Sequence, residues 1–353
     1  MMIYEDYGIF TPGPVKMSDE ILAIGAKQTP YFRNEEFSKV LFRCESDLLE
    51  LLNAPDGSRV IFLTASGTAG LESVVINLLG EQDHALIING GGFGERFVSL
   101  CQSYEKNYTE CKVEKTDLSD IEVLCDASNH NTFLVNAHET SVGHLYNLNA
   151  IGRYTRKHNL LNIIDAISMF ITDEIDMKKH NIDSVILSSQ KGLALPPGLT
   201  MVVLNPKAIE RVQNIKSHYF NFKNYLKDGL RGQTPYTPCV TIILQLEARL
   251  AQIKKDGGIK SSIKKAKELA QYFRAEIQNL DYDFFTPYMP NAMTTLQPKT
   301  KTAIEIVEEL EKKHQLIVCP NGGKLKNIIF RISHMGDMNK ADIDKLIKAL
   351  KDV

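Results

Sequence analysis

Short apolar runs recur between residues 60 and 204 at intervals that leave room for little besides a helix. Residues 60–63 (VIFL), 85–88, 132–136, 160–164, 185–187 and 200–204 read as buried strands, and 108–113 as a further one. Helical patterns fill several of the gaps, at 70–79 and 150–159 for example. Strands alternating with helices predict an α/β layer. Ligands in such a layer sit beyond the carboxyl ends of the strands. The residues that close each run therefore carry the functional argument.

The run at 185–187 closes with Ser188, Ser189, Gln190 and Lys191, followed by Gly192 and a stiff turn at Pro196, Pro197 and Gly198. A lysine straight after a buried strand is partly desolvated. That lowers the amine's pKa and makes it a usable nucleophile. The ordinary alternative is a solvated loop lysine. After 60–63 comes TASGTA at 64–69 and then a helix. Free N–H groups at a helix start favour an anion, and Ser66 and Thr68 add hydroxyls. The spacing is not that of a P-loop. The run at 85–88 opens into NGGGFGERF at 89–97, where glycines admit a flat ligand and Phe93 offers a ring face, or simply fills core.

The run at 132–136 leads to a polar cluster of His138, Glu139, Thr140 and Ser141. His138 and His144 have no close third ligand and match no zinc pattern, so no metal is expected. The run at 160–164 stops at Asp165. A carboxylate there is costly unless paired, and its partner is a cation such as a protonated pyridine nitrogen, or it caps a helix or forms a structural ion pair. Arg331, inside IIFRIS, also needs an anion, and guanidinium suits a carboxylate; a structural ion pair is the alternative.

The 353-residue chain is long enough for two domains. A net charge of −2 argues against a dedicated nucleic-acid binder. Lysines late in the chain, from Lys254 to Lys267, interleave with acidic and apolar residues as on a solvated helix face. The six cysteines show neither metal-ligand nor redox-motif spacing and read as reduced thiols of a cytoplasmic protein. No secretory leader and no membrane-length apolar run is evident. Residues 218–238 read as an irregular segment, Gly257-Gly258 as a kink or boundary, and the remainder as a smaller α+β layer.

In this order the stretches TPGPV, FRNEEF, ASGTAGLES, NGGGFGERF, HETSVG, IIDAISMF, SSQKGLALPPGL and FRISHMG resemble the class V aminotransferases of pyridoxal-phosphate (PLP) fold type I. Within that class the similarity is to alanine–glyoxylate, serine–glyoxylate and 2-aminoethylphosphonate–pyruvate aminotransferases. It extends from Thr11 to Gly336. The resemblance implies a large α/β domain at 21–257 with a mostly parallel seven-stranded sheet. It also implies an N-terminal segment at 1–20 bordering the active site and a small α+β domain at 258–353.

The resemblance further implies that Lys191 forms the Schiff base with PLP and moves the substrate proton, while Asp165 pairs with the ring nitrogen. Ser66, Gly67, Thr68 and Gln190 hold the phosphate. Phe93 and Ile167 flank the ring, and Thr140 lies near its hydroxyl. Arg331 takes the substrate carboxylate, with Pro12, Gly13 and Arg33 bordering the pocket. Thr234 and Thr237 match a segment that reaches the partner's phosphate in a homodimer with shared sites. The implied activity is ping-pong transfer of an amino group between a small donor (alanine, serine or 2-aminoethylphosphonate class) and pyruvate or glyoxylate. A PLP-dependent lyase or cysteine desulfurase and a phosphoserine aminotransferase are the alternatives.

Overall fold

The computed structural model describes residues 7–353, so the first six residues of the 1–20 segment lie outside the described part. Seven strands build the central sheet: β1 (Arg59–Leu63), β2 (His84–Asn89), β3 (Asn107–Lys112), β4 (Thr132–Asn136), β5 (Leu161–Asp165), β6 (Ser184–Ser188) and β7 (Thr200–Leu204). Their order is β1-β7-β6-β5-β4-β2-β3. Pairs from β3 through β6 are parallel, and β7 runs antiparallel to both β6 and β1.

Side chains on these strands alternate between two cores. Val60, Phe62, Val185 and Leu187 enter one; Ile61, Leu63 and Ile186 enter the other. Burial on both faces is why the runs are continuously apolar rather than alternating. Helix α1 (Glu35–Leu51) covers the first face through Phe37, Leu41, Cys44 and Leu48. Helices α2 (Gly67–Leu78) and α3 (Gly94–Ser103) cover the second through Leu71, Val74, Phe97 and Val98. The carboxyl ends of β1, β2, β4, β5 and β6 carry the candidate residues, as the sequence pattern requires.

A third core lies in the C-terminal part. Strands β8 (Tyr282–Phe284), β9 (Met293–Pro298), β10 (Cys319–Pro320) and β11 (Phe330–Ser333) form an antiparallel sheet in the order β8-β9-β11-β10. The N-terminal segment joins it: Gly8–Ile9 pairs in parallel with Leu316–Ile317, and Phe10 enters this core. The chain then turns at 11–14 toward the central sheet, which brings this turn to the site described below.

Two expectations are corrected. Residues 218–238 are not wholly irregular, because Phe222–Gly229 is helical. Asn221 caps it by accepting from Lys223 N–H, and Phe222 and Tyr225, three apart, bury one face. A single short helix among aromatics and glycines carries little periodic signal. The cysteines are not all free thiols, because Cys111 and Cys125 form a disulfide across the crossover from β3 to β4. Their separation of fourteen residues matches no motif; only folding brings them together. At Gly257, with φ of 98°, the helix Val240–Lys255 breaks and Gly258–Ile277 begins. Among the described residues no helix is long and apolar enough to cross a membrane.

Candidate active site

The turn after β1 is an anion cradle by its backbone. Ser66 occupies the N-cap of α2 in extended conformation, yet its hydroxyl caps nothing. Elsewhere Ser18, Asn34, Asn147 and Thr302 do cap their helices. The first N–H groups of α2 and the Ser66 hydroxyl are thus available to a ligand. Gly67 keeps the cradle shallow, since a Cβ there would lie 2.6 Å from Ile167 Cδ1. Across the cradle Gln190 accepts a hydrogen bond from the Ser188 hydroxyl at 2.6 Å.

Phe93 and Ile167 are the residues expected to flank a ring beside it, and Ile167 does border the cradle at Gly67. Glu139 places Phe93. This wholly buried carboxylate accepts from Phe93 N–H at 3.2 Å, Gly94 N–H at 3.0 Å, Asn136 Nδ2 at 2.8 Å and Ser141 Oγ at 2.5 Å. It caps α3 from outside the helix. Gly91 is required by this packing, because a Cβ would fall 2.8 Å from the Glu139 carboxyl carbon. Thr140 shares a 2.5 Å hydroxyl–hydroxyl hydrogen bond with Ser168. His138 Nδ1 lies 3.1 Å from the Ser168 carbonyl oxygen, and burial drives its pKa down to about 3, which keeps the imidazole neutral.

Asp165 ends β5, buried, with Oδ1 accepting from Ile167 N–H at 2.9 Å. No donor among the described residues satisfies Oδ2. Burial pushes its pKa up to about 6, Glu139 adds to the rise, and Lys191 and Arg96 oppose it. Such a carboxylate awaits a cation.

Lys191 lies on the loop that leaves β6. Ser189 closes this loop by donating to the Pro196 carbonyl at 2.6 Å and accepting from Leu199 N–H at 3.3 Å. The lysine stem rests on Gly13, whose absent Cβ would be 2.7 Å from Lys191 Cδ; Pro12 beside it is buried. No hydrogen bond or ion pair holds the amine among the described residues. Burial, and then the Arg331 charge, lower its pKa to about 8. Gly192 is obligatory for a different reason: a Cβ would overlap the Phe170 carbonyl oxygen. We expect Gly192→Ala to cost about 1–3 kcal/mol, as overpacking does, and to displace Lys191. Urea unfolding measures this, and an unchanged midpoint would reject the packing argument.

Arg331, on β11, donates to the Thr140 carbonyl at 3.1 Å, the Pro320 carbonyl at 2.8 Å and Cys319 Sγ at 2.9 Å. It pairs with no carboxylate among the described residues, and its Nε is buried without a partner. A structural ion pair is therefore not what holds it. Arg33 behaves differently. It donates to the carbonyls of Thr234 at 2.5 Å and Pro235 at 3.2 Å, and so fixes the 233–235 backbone. The Thr234 hydroxyl turns to the Tyr236 carbonyl at 2.7 Å, and Thr237 is exposed.

Arg96 and Ser168 carried no sequence expectation. Glu139 was visible only as one member of a polar cluster. Arg96 follows Phe93 by three residues, the spacing that stacks side chains on a helix, and that was the available signal.

The donor set suits PLP. Uncapped N–H groups and hydroxyls could bind a phosphate, Phe93 and Ile167 could flank a flat ring, Asp165 would pair with a ring cation and Lys191 offers an unpaired amine. Residues 25–339 match the family model described as Aminotransferase class-V. An uncharacterised aminotransferase of Methanocaldococcus jannaschii is 27% identical, over 95% of this chain and 89% of that protein. The L-aspartate–glyoxylate aminotransferase of Paracoccus denitrificans is 25% identical, over 94% and 87%. The crystal structure of alanine–glyoxylate aminotransferase from Nostoc sp. superposes with a TM-score of 0.92 at 20% identity, covering 100% of this chain and 96% of that one. The chain belongs to the class V aminotransferases, enzymes of PLP fold type I.

Proposed function

We propose that this transaminase moves an amino group between a small donor of the alanine, serine or 2-aminoethylphosphonate class and pyruvate or glyoxylate. Lys191 is the amine that holds PLP covalently. The observation that carries this reading is the convergence of an unpaired Lys191 and a cation-seeking Asp165, at the ends of neighbouring strands, with a carboxylate-free Arg331 from the C-terminal sheet. PLP, when bound, supplies an electrophilic carbonyl and an electron sink. The protein does the rest. The α2 N-terminus, Ser66, Gly67, Thr68 and Gln190 anchor the phosphate, and Phe93, Ile167 and Thr140 fix the ring plane. Asp165 keeps the ring nitrogen protonated. Arg331 receives the substrate carboxylate, which orients the α-hydrogen toward Lys191 Nζ. Once released by the donor, that amine is the base that takes the proton.

The same reading makes the enzyme a cytoplasmic homodimer. Arg33 braces the 233–235 segment, and the exposed Thr237 extends toward the partner's phosphate, while the buried Thr234, bonded to the Tyr236 carbonyl, shapes the backbone that carries it. Tyr31, Phe42 and Leu230 are large apolar side chains left exposed on this chain, which supports a covering surface. Residues 21–257 act as the PLP-binding unit and 258–353 as the smaller unit that carries Arg331. The 1–20 segment is tied to the latter by Gly8–Ile9.

A panel of amino donors given to the PLP-loaded enzyme tests the reading. Alanine, serine and 2-aminoethylphosphonate are compared by conversion to the pyridoxamine form and by the oxo product released. Sulfide release from cysteine with no oxo acid from any donor would reject transamination. Capture of PLP by the apoprotein should follow the neutral amine of Lys191. Its rate should rise about tenfold per pH unit below pH 8 and level off above, because the amine's pKa stands at about 8 rather than 10.5. Stopped-flow absorbance measures it, and a rate still climbing steeply at pH 10 would contradict the lowered pKa.

A further inference from the structure

Arg96 is a site cation that the roles above leave unused. It lies on α3 one turn past Phe93, and its guanidinium carbon sits 4.7 Å from the Phe93 ring centroid. Its NH1 donates to Thr68 Oγ1 at 3.1 Å. No carboxylate among the described residues pairs with it, although Glu95 is its neighbour in sequence; Glu95 instead accepts from Asn89 at 2.8 Å. The Arg96 charge reaches both Asp165 and Lys191 and lowers the pKa of each. An arginine that is stacked, hydrogen-bonded to a cradle hydroxyl and free of any anion is poised for one.

The cradle itself explains which anion. The turn TASGTA contains no basic residue, while a phosphate monoester brings close to two negative charges. The hydroxyl geometry adds to this. A threonine hydroxyl has one hydrogen to give and two lone pairs to accept with. By filling a lone pair, Arg96 leaves the Thr68 hydrogen for the ligand and polarises that O–H bond.

We propose that Arg96 is a positioning residue for the phosphate. Clamped over Phe93, it commits the Thr68 hydroxyl to donating toward the phosphate and supplies the charge that the turn lacks. The proposal rests on the reading of this site as a PLP site. It differs from a simple packing role for Arg96 under Phe93, because packing would affect the ring whether or not a phosphate is attached.

Two aldehydes separate these roles: PLP, and pyridoxal, which lacks the phosphate. Each is titrated into apoprotein of wild type, Arg96→Gln and Arg96→Lys, with binding read by absorbance and folding checked by circular dichroism. Arg96→Gln should weaken PLP about 10- to 100-fold, the range for hydrogen bonds to charged groups. It should leave pyridoxal affinity within about twofold, a change too small to reflect a lost charged contact. Arg96→Lys keeps a charge and a donor and should recover part of the PLP loss. In a Thr68→Ala background the Arg96→Gln effect should shrink, since the two groups act together. Equal weakening of both aldehydes, or no weakening of PLP, overturns the proposal. Wild-type protein that binds neither aldehyde overturns the PLP reading itself, which is a separate result.

Discussion

Lys191→Ala should fold normally and lose transamination by a factor on the order of 10⁴ or more, since both the covalent anchor and the proton-transferring base disappear. The loop that carries Lys191 does not need its side chain. Ala194 N–H donates to the Lys191 carbonyl at 2.8 Å and Leu195 N–H to the Ser189 carbonyl at 3.1 Å, while Ser189 ties both ends through its hydroxyl. The amine itself is a burden in the apoprotein. Its pKa falls from 10.5 to about 8 because burial disfavours the ammonium. Between those values the unfolded chain binds the extra proton, so wild-type stability rises as pH climbs from about 8 toward 10.5. At pH 7 the full cost is present, roughly 3 kcal/mol. Lys191→Ala removes that cost, so any stability advantage of the variant over wild-type apoprotein should shrink as pH climbs through this window. Borohydride reduction of the loaded wild type followed by peptide mapping should place the cofactor on Lys191. A labelled peptide from elsewhere, or full activity in Lys191→Ala, would reject the assignment.

The sheet was legible because its strands are buried on both faces. All but the edge strand β3 read as short apolar runs, and the runs fall within a few residues of the observed strands. Lys191 and Asp165 were legible for a related reason: a charged residue directly after such a run stands out against it. Arg331 was legible as a charge inside a run, and only the structure removes the alternative of a structural ion pair, since its contacts are carbonyls and a thiol. Other features depend on contacts distant in sequence. Glu139 reaches back 46 residues to Phe93, and Arg33 forward 201 to the Thr234 carbonyl. Nothing in the local pattern around either residue encodes such a partner. The Cys111–Cys125 disulfide is hidden in the same way, because its loop length follows no motif. The Phe222–Gly229 helix was missed because eight residues give too few turns for a periodicity to emerge.

The glycine pattern holds a part of the site that side chains do not reveal. Gly13, Gly67, Gly91 and Gly192 each sit where a Cβ would strike a neighbouring group: the Lys191 stem, Ile167, Glu139 and the Phe170 carbonyl respectively. The glycine-bearing stretches TPGP, TASGTA, NGGGFG and QKG therefore share one physical basis. Each lets a neighbouring backbone or side chain approach more closely than any substituted residue permits. Motif resemblance and close packing thus describe the same constraint.

Asp165→Asn should separate stability from catalysis. In the apoprotein the carboxylate is costly: burial first, then Glu139, raises its pKa from 3.8 to about 6. Between those values the folded state holds the proton that the unfolded chain has released. Stability therefore falls as pH rises through that window, and at pH 7 the cost is roughly 3 kcal/mol. Asparagine has nearly the same shape, and its side-chain oxygen still accepts from Ile167 N–H, but it never ionises. The apoprotein of the variant should unfold at higher urea concentration than wild type at pH 7 and at the same concentration near pH 4. Catalysis should move the other way. Without a carboxylate the ring nitrogen loses the anion that keeps it protonated, and the electron sink weakens. Removing one partner of a buried ion pair costs about 3–5 kcal/mol, equivalent to roughly 10²- to 10⁴-fold in kcat. The substrate KM should change far less, because Arg331, the proposed carboxylate site, is untouched. Steady-state kinetics with paired urea titrations at the two pH values test this. A variant that loses stability at pH 7, or one that keeps wild-type kcat, would show that Asp165 is an ordinary structural carboxylate rather than the counter-ion of the ring.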